Sequence, residues 1–127
     1  DGRRQARTET LNTPADPAAR LTRLLEIYWE GLRRPLPFVP DCAFAFAEKS
    51  GENPAAARRA AREKWEGSEP SPGAVNDPHW RLCFARHGGD PFGAEFERLA
   101  GEIFGPLLAG LIPEEKPRRA RKGGKAA

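Results

Sequence analysis

The stretch Gly31-Leu32-Arg33-Arg34-Pro35-Leu36-Pro37-Phe38-Val39-Pro40 decides how the first half of this chain is built. A helical pattern runs into Gly31 and is followed by three prolines. Proline fixes its own φ and pushes the preceding residue towards extended conformations. The stretch therefore predicts a stiff strap, defined as residues 35–40, whose side chains dock on a partner surface. The predicted docking residues are Pro35, Leu36, Pro37, Phe38, Val39 and Pro40.

Upstream of the strap, the sequence predicts a strongly amphipathic helix. Asp16 is a good N-cap, and Pro17 is tolerated at the first helical position. Large apolar residues then recur at steps of three and four: Leu21, Leu24, Leu25, Tyr28, Trp29 and Leu32. This spacing predicts one wide apolar face along the helix, ended by Gly31 and the prolines.

Downstream of the strap, helices again fit best, with three further Asx-Pro starts. Residues 41–49 favour a short helix, although their alternation also suits a strand. Asn53-Pro54 opens an alanine-rich helix, expected on the surface and clamped by Trp65. Asp77-Pro78 opens a segment that extends to Gly88-Gly89, for which helix is preferred over strand. Asp90-Pro91 opens the last helix. Within that helix, Gly105-Pro106 is expected to kink or divide it.

Length and charge divide the chain into three parts. Its 127 residues allow one domain with a modest core. Of the net charge of +3, residues 114–127 carry +4 and the first ten residues +1, which leaves −2 for residues 11–113. We expect a lead-in over 1–15, a helical segment over 16–112 and a disordered basic tail over 113–127. Candidate phosphate contacts in the tail are Arg118, Arg119, Arg121 and Lys122, although a solvated charge run explains them equally well.

Cysteine usage and hydropathy favour a cytoplasmic protein. Cys42 and Cys83 are far apart, so a disulfide framework is not expected. No signal peptide is visible, and no apolar run approaches the ~20 residues of a membrane span. The opening Asp1 and the absence of methionine suggest a piece of a longer protein.

Three residues of the fourth predicted segment have a spacing that suits a metal site. His79, Cys83 and His87 are spaced four apart and would share one helical face, where they are weak candidates for zinc ligands. A fourth ligand is missing unless Cys42 or Asp90 supplies it. A packed cysteine between two surface histidines explains the spacing more simply, so no metal and no other cofactor is predicted.

Two further patterns suggest a nuclease site and a base-stacking surface. Asp41 and Glu114-Glu115-Lys116 match the letters of Mg²⁺ nucleases of the PD-(D/E)xK kind. The context does not match, because hard Mg²⁺ needs fixed oxygen ligands and no strand holds Glu114. The three tryptophans, Trp29, Trp65 and Trp80, could stack single-stranded bases, but their apolar neighbours favour core packing. No catalytic residue is predicted.

Four features in this order resemble the C-terminal region of RecC, the gamma subunit of bacterial exodeoxyribonuclease V, the RecBCD helicase–nuclease. The first two are a helix that ends in glycine and the proline strap. The third is a helix that closes in an aromatic–x–Gly pattern, and the fourth combines an aromatic-rich segment with a terminal hydrophobic-x-Pro-Leu helix. The helix that ends in glycine contains Leu24-Leu25-Glu26-Ile27-Tyr28-Trp29-Glu30-Gly31-Leu32, and the strap feature is Arg34-Pro35-Leu36-Pro37-Phe38-Val39-Pro40. The aromatic–x–Gly helix contains Ala60-Ala61-Arg62-Glu63-Lys64-Trp65-Glu66-Gly67. The aromatic-rich segment runs from Asp77 to Arg86, and the terminal helix contains Ile103-Phe104-Gly105-Pro106-Leu107-Leu108.

The resemblance implies a fold and a role. The fold is mainly α, the helical C-terminal portion of a degenerate PD-(D/E)xK nuclease-like α/β domain that has lost its active site. The role is DNA handling and subunit docking in double-strand-break repair and homologous recombination. The implied partners are RecB- and RecD-like subunits, with DNA met through the whole complex and with neither a membrane nor a small-molecule substrate. By itself the chain is then not an enzyme, although the bacterial, cytoplasmic exodeoxyribonuclease V complex is one.

Two other functions stay open from the sequence. The first is a small free-standing helical adaptor or nucleic-acid-binding module that uses its basic tail. The second is a small zinc-dependent or nuclease enzyme. The sequence favours the non-catalytic RecC-type fragment over both.

Overall fold

The computed structural model describes residues 8–112, and this part of the chain is mainly helical, as predicted. Its elements include five α-helices and a two-stranded antiparallel hairpin followed by a 3-10 turn, Ala74–Asn76. The helices are α1 Pro17–Arg33, α2 Pro40–Ser50, α3 Pro54–Glu66, α4 Pro78–Phe84 and α5 Ala94–Gly110. The strands, β1 Gly67–Ser68 and β2 Ser71–Pro72, lie between α3 and α4.

Three of the four predicted Asx-Pro helix starts are confirmed. The side chains of Asp16, Asn53 and Asp77 accept hydrogen bonds from backbone N–H groups of the first turn, at 2.8–3.0 Å for the shortest bond of each. In each case a proline follows at the start of the helix. The cap therefore satisfies a donor that the first turn leaves free, and proline has no N–H to leave unsatisfied.

The fourth predicted start is wrong by a few residues. Asp90 accepts a hydrogen bond of 3.0 Å from the backbone of Phe92, but α5 begins only at Ala94. Gly93 intervenes with φ of 154°, a conformation that side-chain-bearing residues rarely adopt. Asp90-Pro91 therefore forms a turn that leads to the helix.

α5 continues through Pro106, so the predicted division of this helix is wrong. The residue before a proline is normally driven from the helical region by a clash between the proline ring and its own Cβ. That residue is Gly105, which has no Cβ. The glycine thus removes part of the conflict that proline creates inside a helix.

The core lies where α2 packs against α3 and α5. Ala57 and Ala61 of α3 are fully buried, and Trp65 is nearly so. The expected surface position of α3 is therefore wrong. Alanine has no bulk to hold helices apart, so a thin apolar face can lie directly on α2. The buried cluster consists of Val39, Cys42, Ala43, Phe46, Ala57, Ala61, Trp65, Phe84, Phe96 and Ala100.

Aromatic side chains join the elements around this core. Phe96 of α5 meets Phe46 of α2 and Phe92 edge-on, with ring centroids 5.9 and 5.1 Å apart. Trp65 meets both Phe84 and Phe92 edge-on, with ring centroids 5.9 and 6.3 Å apart. These geometries are the preferred ones for aromatic pairs. They link α2, α3, α4 and α5 into one packed unit.

The lead-in is paired to the end of α5. The Asn12 N–H donates to the Gly110 carbonyl at 2.8 Å, and the Ile112 N–H donates to the Thr10 carbonyl at 2.9 Å. These bonds flank a bridge between Leu11 and Leu111. The last residues before the predicted tail thus lie beside residues 10–12, and residues 113–127 are outside the described range.

Candidate docking site

The apolar face of α1 exists as predicted, but the described residues do not cover it. Its six large side chains expose between 44% and 65% of their surface. They are Leu21, Leu24, Leu25, Tyr28, Trp29 and Leu32. Ile27 is the buried residue of this helix. The expectation that Trp29 packs in the core is therefore wrong within residues 8–112. We call these six side chains the α1 face.

α1 contacts α5 through its polar side. Arg23 donates to Glu102 at 2.9 Å and to Glu26 at 3.1 Å. Immediately after α1, Arg34 donates to Glu95 of α5 and to Glu30 of α1. The bond from Arg34 lowers the pKa of Glu95. The charged side of α1 thus faces α5 and the rest of the described chain.

A groove runs beside the α1 face, between α1, α5 and the lead-in. Its volume is about 550 Å³. Apolar side chains dominate the lining: Leu11, Pro14, Leu24, Ile103, Phe104 and Leu107. Arg20, Arg23 and Glu102 border it. Leu24 belongs to both surfaces, so the groove and the α1 face form one continuous apolar area.

Part of the apolar surface of the strap packs against other residues of this chain. Val39 is only 2% exposed and belongs to the core, and Phe38 stacks on Phe104 of α5 with ring centroids 5.8 Å apart. Leu36 lies close to Gly31, where an added Cβ would come within 3.3 Å of the leucine. Val39 is therefore not accessible to a partner in this structure. A docking role for Pro35, Leu36, Pro37, Phe38 and Pro40 stays a prediction.

The proposed helical face of zinc ligands is not formed. α4 ends at Phe84, and the N–H groups of His87 and Gly89 both donate to the Phe84 carbonyl at 3.0 Å. His87 therefore lies in a turn, and not one helical turn beyond Cys83. Across residues 8–112, no group of three or more His, Cys, Asp or Glu side chains is placed to hold a metal ion.

The other sequence candidates for chemistry do not converge on a site. Cys42 is buried, and burial raises the pKa of its thiol to about 11. A thiol of this kind stays protonated at neutral pH and is a poor nucleophile. Asp41 is exposed at the start of α2. Its suggested nuclease companions, Glu114 to Lys116, lie outside the described residues, as do the tail residues Arg118, Arg119, Arg121 and Lys122.

Comparison with protein-family models gives a match over part of the chain. Residues 9–51 match the family model of the RecC C-terminal domain. The resemblance predicted from the sequence is confirmed over this segment, which is about a third of the chain. No curated protein and no solved structure matches the chain. The RecC-like segment holds α1, the strap and α2, so the exposed α1 face lies within it.

Sequence reasoning found the α1 face but did not predict which side of the helix meets α5. Periodicity shows that a helix has an apolar side, but it does not show what covers that side. A signal was present in the charges. Arg23, Glu30 and Arg34 occupy the other side of α1, and α5 offers Glu95 and Glu102 to them. Complementary charge on two helices indicates that their polar sides meet.

Within residues 8–112, none of the helices has the length and apolar character that a membrane span requires.

Proposed function

We propose that this chain is a non-catalytic packing and docking part of a RecC-type subunit, which acts in a RecBCD-type helicase–nuclease during double-strand-break repair and recombination. The single observation that carries the proposal is the exposed α1 face inside the RecC-like segment. A contiguous apolar surface of this kind on a small protein marks an interaction site. An enzyme of this size would instead be expected to gather polar groups in a concave site.

The proposal assigns each part of the chain a place in the complex. Residues 16–112 are the folded unit, the helical end of a degenerate nuclease-like domain, with 1–15 as lead-in and 113–127 as a basic tail. Its α1 face packs on RecB- or RecD-like subunits in the bacterial cytoplasm, and DNA is met through the assembled machine. No cofactor and no small-molecule substrate enters this role.

Co-purification tests the proposal. The chain is expressed with the RecB- and RecD-like proteins of its own genome, as the wild type and with Leu25→Asp and Trp29→Asp combined. We expect the double variant to lose the partners, because a carboxylate placed in an apolar interface loses its hydration. Leu82→Asp is the matched control. It also places a charge at an exposed leucine, 79% exposed on α4, but away from the α1 face.

Two outcomes contradict the proposal. In the first, the double variant and the Leu82→Asp control retain the partners equally, or the wild type binds none. In the second, the purified chain hydrolyses DNA with Mg²⁺ and a single substitution abolishes this activity. Salt-dependent binding to single-stranded DNA that disappears on deletion of residues 114–127, without any partner binding, would support the free-standing module instead.

A further inference from the structure

We propose that α1 is a detachable arm. It separates from α5 in an opening of its own while α2, α3, α4 and α5 stay folded, and its ion pairs to α5 set how often it opens. The inference concerns contacts within this chain, so it goes beyond the docking role proposed above and does not depend on it.

α1 takes no part in the buried core of the described residues. The buried cluster draws its members from the strap, α2, α3, α4 and α5, and the half-buried apolar residues packed on it also lie outside α1. Within residues 8–112, α1 does not run closely along another helix, whereas α2 packs along both α3 and α5. Segments with few buried apolar contacts and sparse packing open independently of the rest of a protein.

Each end of α1 is connected to an anchor on the folded core. Before α1, the Asn12 N–H donates to the Gly110 carbonyl at the end of α5, which fixes the lead-in there. After α1, the strap is fixed by Phe38, which stacks on Phe104, and by the buried Val39. The residues between each anchor and α1 belong to neither a helix nor a strand. Both anchors can therefore stay in place when α1 separates from α5.

Ion pairs supply specific contacts between this arm and α5. Arg23 donates to Glu102 at 2.9 Å, and Arg34, directly after α1, donates to Glu95. All four side chains are partly exposed to solvent. Exposed ion pairs contribute little and are screened by salt, so this attachment is weak and depends on ionic strength.

Separation is expected to unfold α1 and to change the docking site. A helix of 17 residues with a glycine near its end is only marginally stable alone, so a detached α1 exposes its backbone N–H groups to water. The groove has α1 as one wall and α5 as another. Loss of the α1 wall uncovers the half-buried Ile103 and Phe104 of α5. The groove and the α1 face therefore form one surface only while the arm is attached.

Native-state amide exchange of the full chain, followed by nuclear magnetic resonance at neutral pH, tests this inference. Protection factors are compared at about 50 mM and about 1 M sodium chloride. The test variant combines Glu95→Gln and Glu102→Gln, which removes both carboxylates from α5 and leaves the sequence of α1 unchanged. Glu97→Gln is the matched control, since it makes the same change on the same helix but at a partner of Arg58 on α3.

We expect the amides of α1 to be at least about ten-fold less protected than the buried amides of α2 and α3. High salt should lower the protection of α1 further while the amides of α2 and α3 change less. The double variant should lower the protection of α1 at least about three-fold at low salt and reduce its salt dependence. The control should leave the protection of α1 at the wild-type value.

Three results would overturn the inference. Equal protection of α1 and of the buried amides of α2 and α3 would show that α1 opens only when the whole chain unfolds. Equal losses in α1 and in α2 and α3, in high salt or in the double variant, would show a change in global stability. Low protection of α1 that neither salt nor the double variant changes would show that the ion pairs do not hold the arm.

Discussion

α1 and α3 show opposite uses of an amphipathic helix. α1 carries the larger apolar side chains, yet it exposes them and contacts α5 through Arg23 and the adjoining Arg34. α3 offers little beyond alanines and Trp65, yet that thin side is buried on α2. The amount of apolar surface on a helix therefore does not decide whether the chain buries it.

The difference follows from what each helix has as a neighbour. α2 presents small residues, Ala43 and Cys42, so α3 can approach it closely enough for alanines to fill the space. α5 presents glutamates to α1, and ion pairs orient the helix without covering its leucines. The core made by α2, α3 and α5 holds the fold, and α1 is available for a partner.

The sharpest contrast between the regions is expected in stability. Phe96 is 1% exposed and contacts Phe46 and Phe92, so Phe96→Ala removes a ring from the centre of the core. We expect the free energy of unfolding to fall by about 3–5 kcal/mol. Chemical denaturation followed by far-UV circular dichroism measures it. Tyr28→Ala, on the exposed α1 face, is the control and is expected to change stability by less than about 0.5 kcal/mol. Similar losses in both variants would show that α1 is part of the core.

The second prediction concerns the close approach of α3 to α2. Ala61 is fully buried in the core cluster, and Ala61→Leu adds a branched side chain there. We expect a loss of about 1–3 kcal/mol in the free energy of unfolding, because overpacking forces helices or rotamers to shift. Ala55→Leu makes the same change at an exposed position of α3 and should be nearly neutral. If Ala61→Leu is also neutral, α3 lies on the surface, as the sequence alone suggested.

These contrasts show what the sequence could and could not supply. Three Asx-Pro starts were predictable because capping is a local effect of adjacent residues. The path of the chain through Gly93 and Pro106 was not, because each depends on a competition between a local preference and the packing of α5. The weak candidates for zinc ligands, His79, Cys83 and His87, do not share a helical face, because the turn after Phe84 ends the helix before His87.

Only part of the candidate docking site could be predicted from the sequence. Spacing gave the six side chains of the α1 face. Their exposure, and the groove beside them, depend on where α5 and the lead-in lie, which no local pattern reports. The strap is less exposed than the sequence predicted. It was predicted to contact a partner, yet Val39 lies in the core and Phe38 stacks on Phe104 of the same chain.

The third prediction is that substitutions on the α1 face change the exposed apolar surface but not the free energy of unfolding. Leu25→Ser and Trp29→Ser combined should leave the unfolding transition within about 0.5–1 kcal/mol of the wild type. The same change should reduce the binding of a hydrophobic dye to the native protein, since it removes two of the exposed apolar side chains. Dye fluorescence titrated at fixed protein concentration measures this. Unchanged dye binding would mean that another surface, such as the one around Leu82, attracts the dye.

The smallest effect is expected in the attachment of α1 to α5. The pKa of Glu95 is lowered by the hydrogen bond from Arg34, so Glu95 binds protons less readily in the folded state than in the unfolded state. Its contribution is therefore fully present above the ordinary glutamate pKa and is lost as pH falls through the lowered value. Amide exchange measures this as the protection factors of α1, which we expect to fall a few-fold between pH 6 and pH 3.

The variant Glu95→Gln isolates this contact from the rest of the acid response. We expect it to lower the protection of α1 at pH 6 and to weaken the further fall towards pH 3, because glutamine does not titrate. Acid also weakens the pair of Arg58 and Glu97, which joins α3 to α5, but that loss is common to wild type and variant and cancels in the comparison. Glu63→Gln, at an exposed glutamate of α3, is the control and should behave as the wild type. If Glu95→Gln also matches the wild type at both pH values, Arg34 and Glu95 do not hold α1, and its position is determined by other contacts, such as the Arg23–Glu102 pair and buried Ile27.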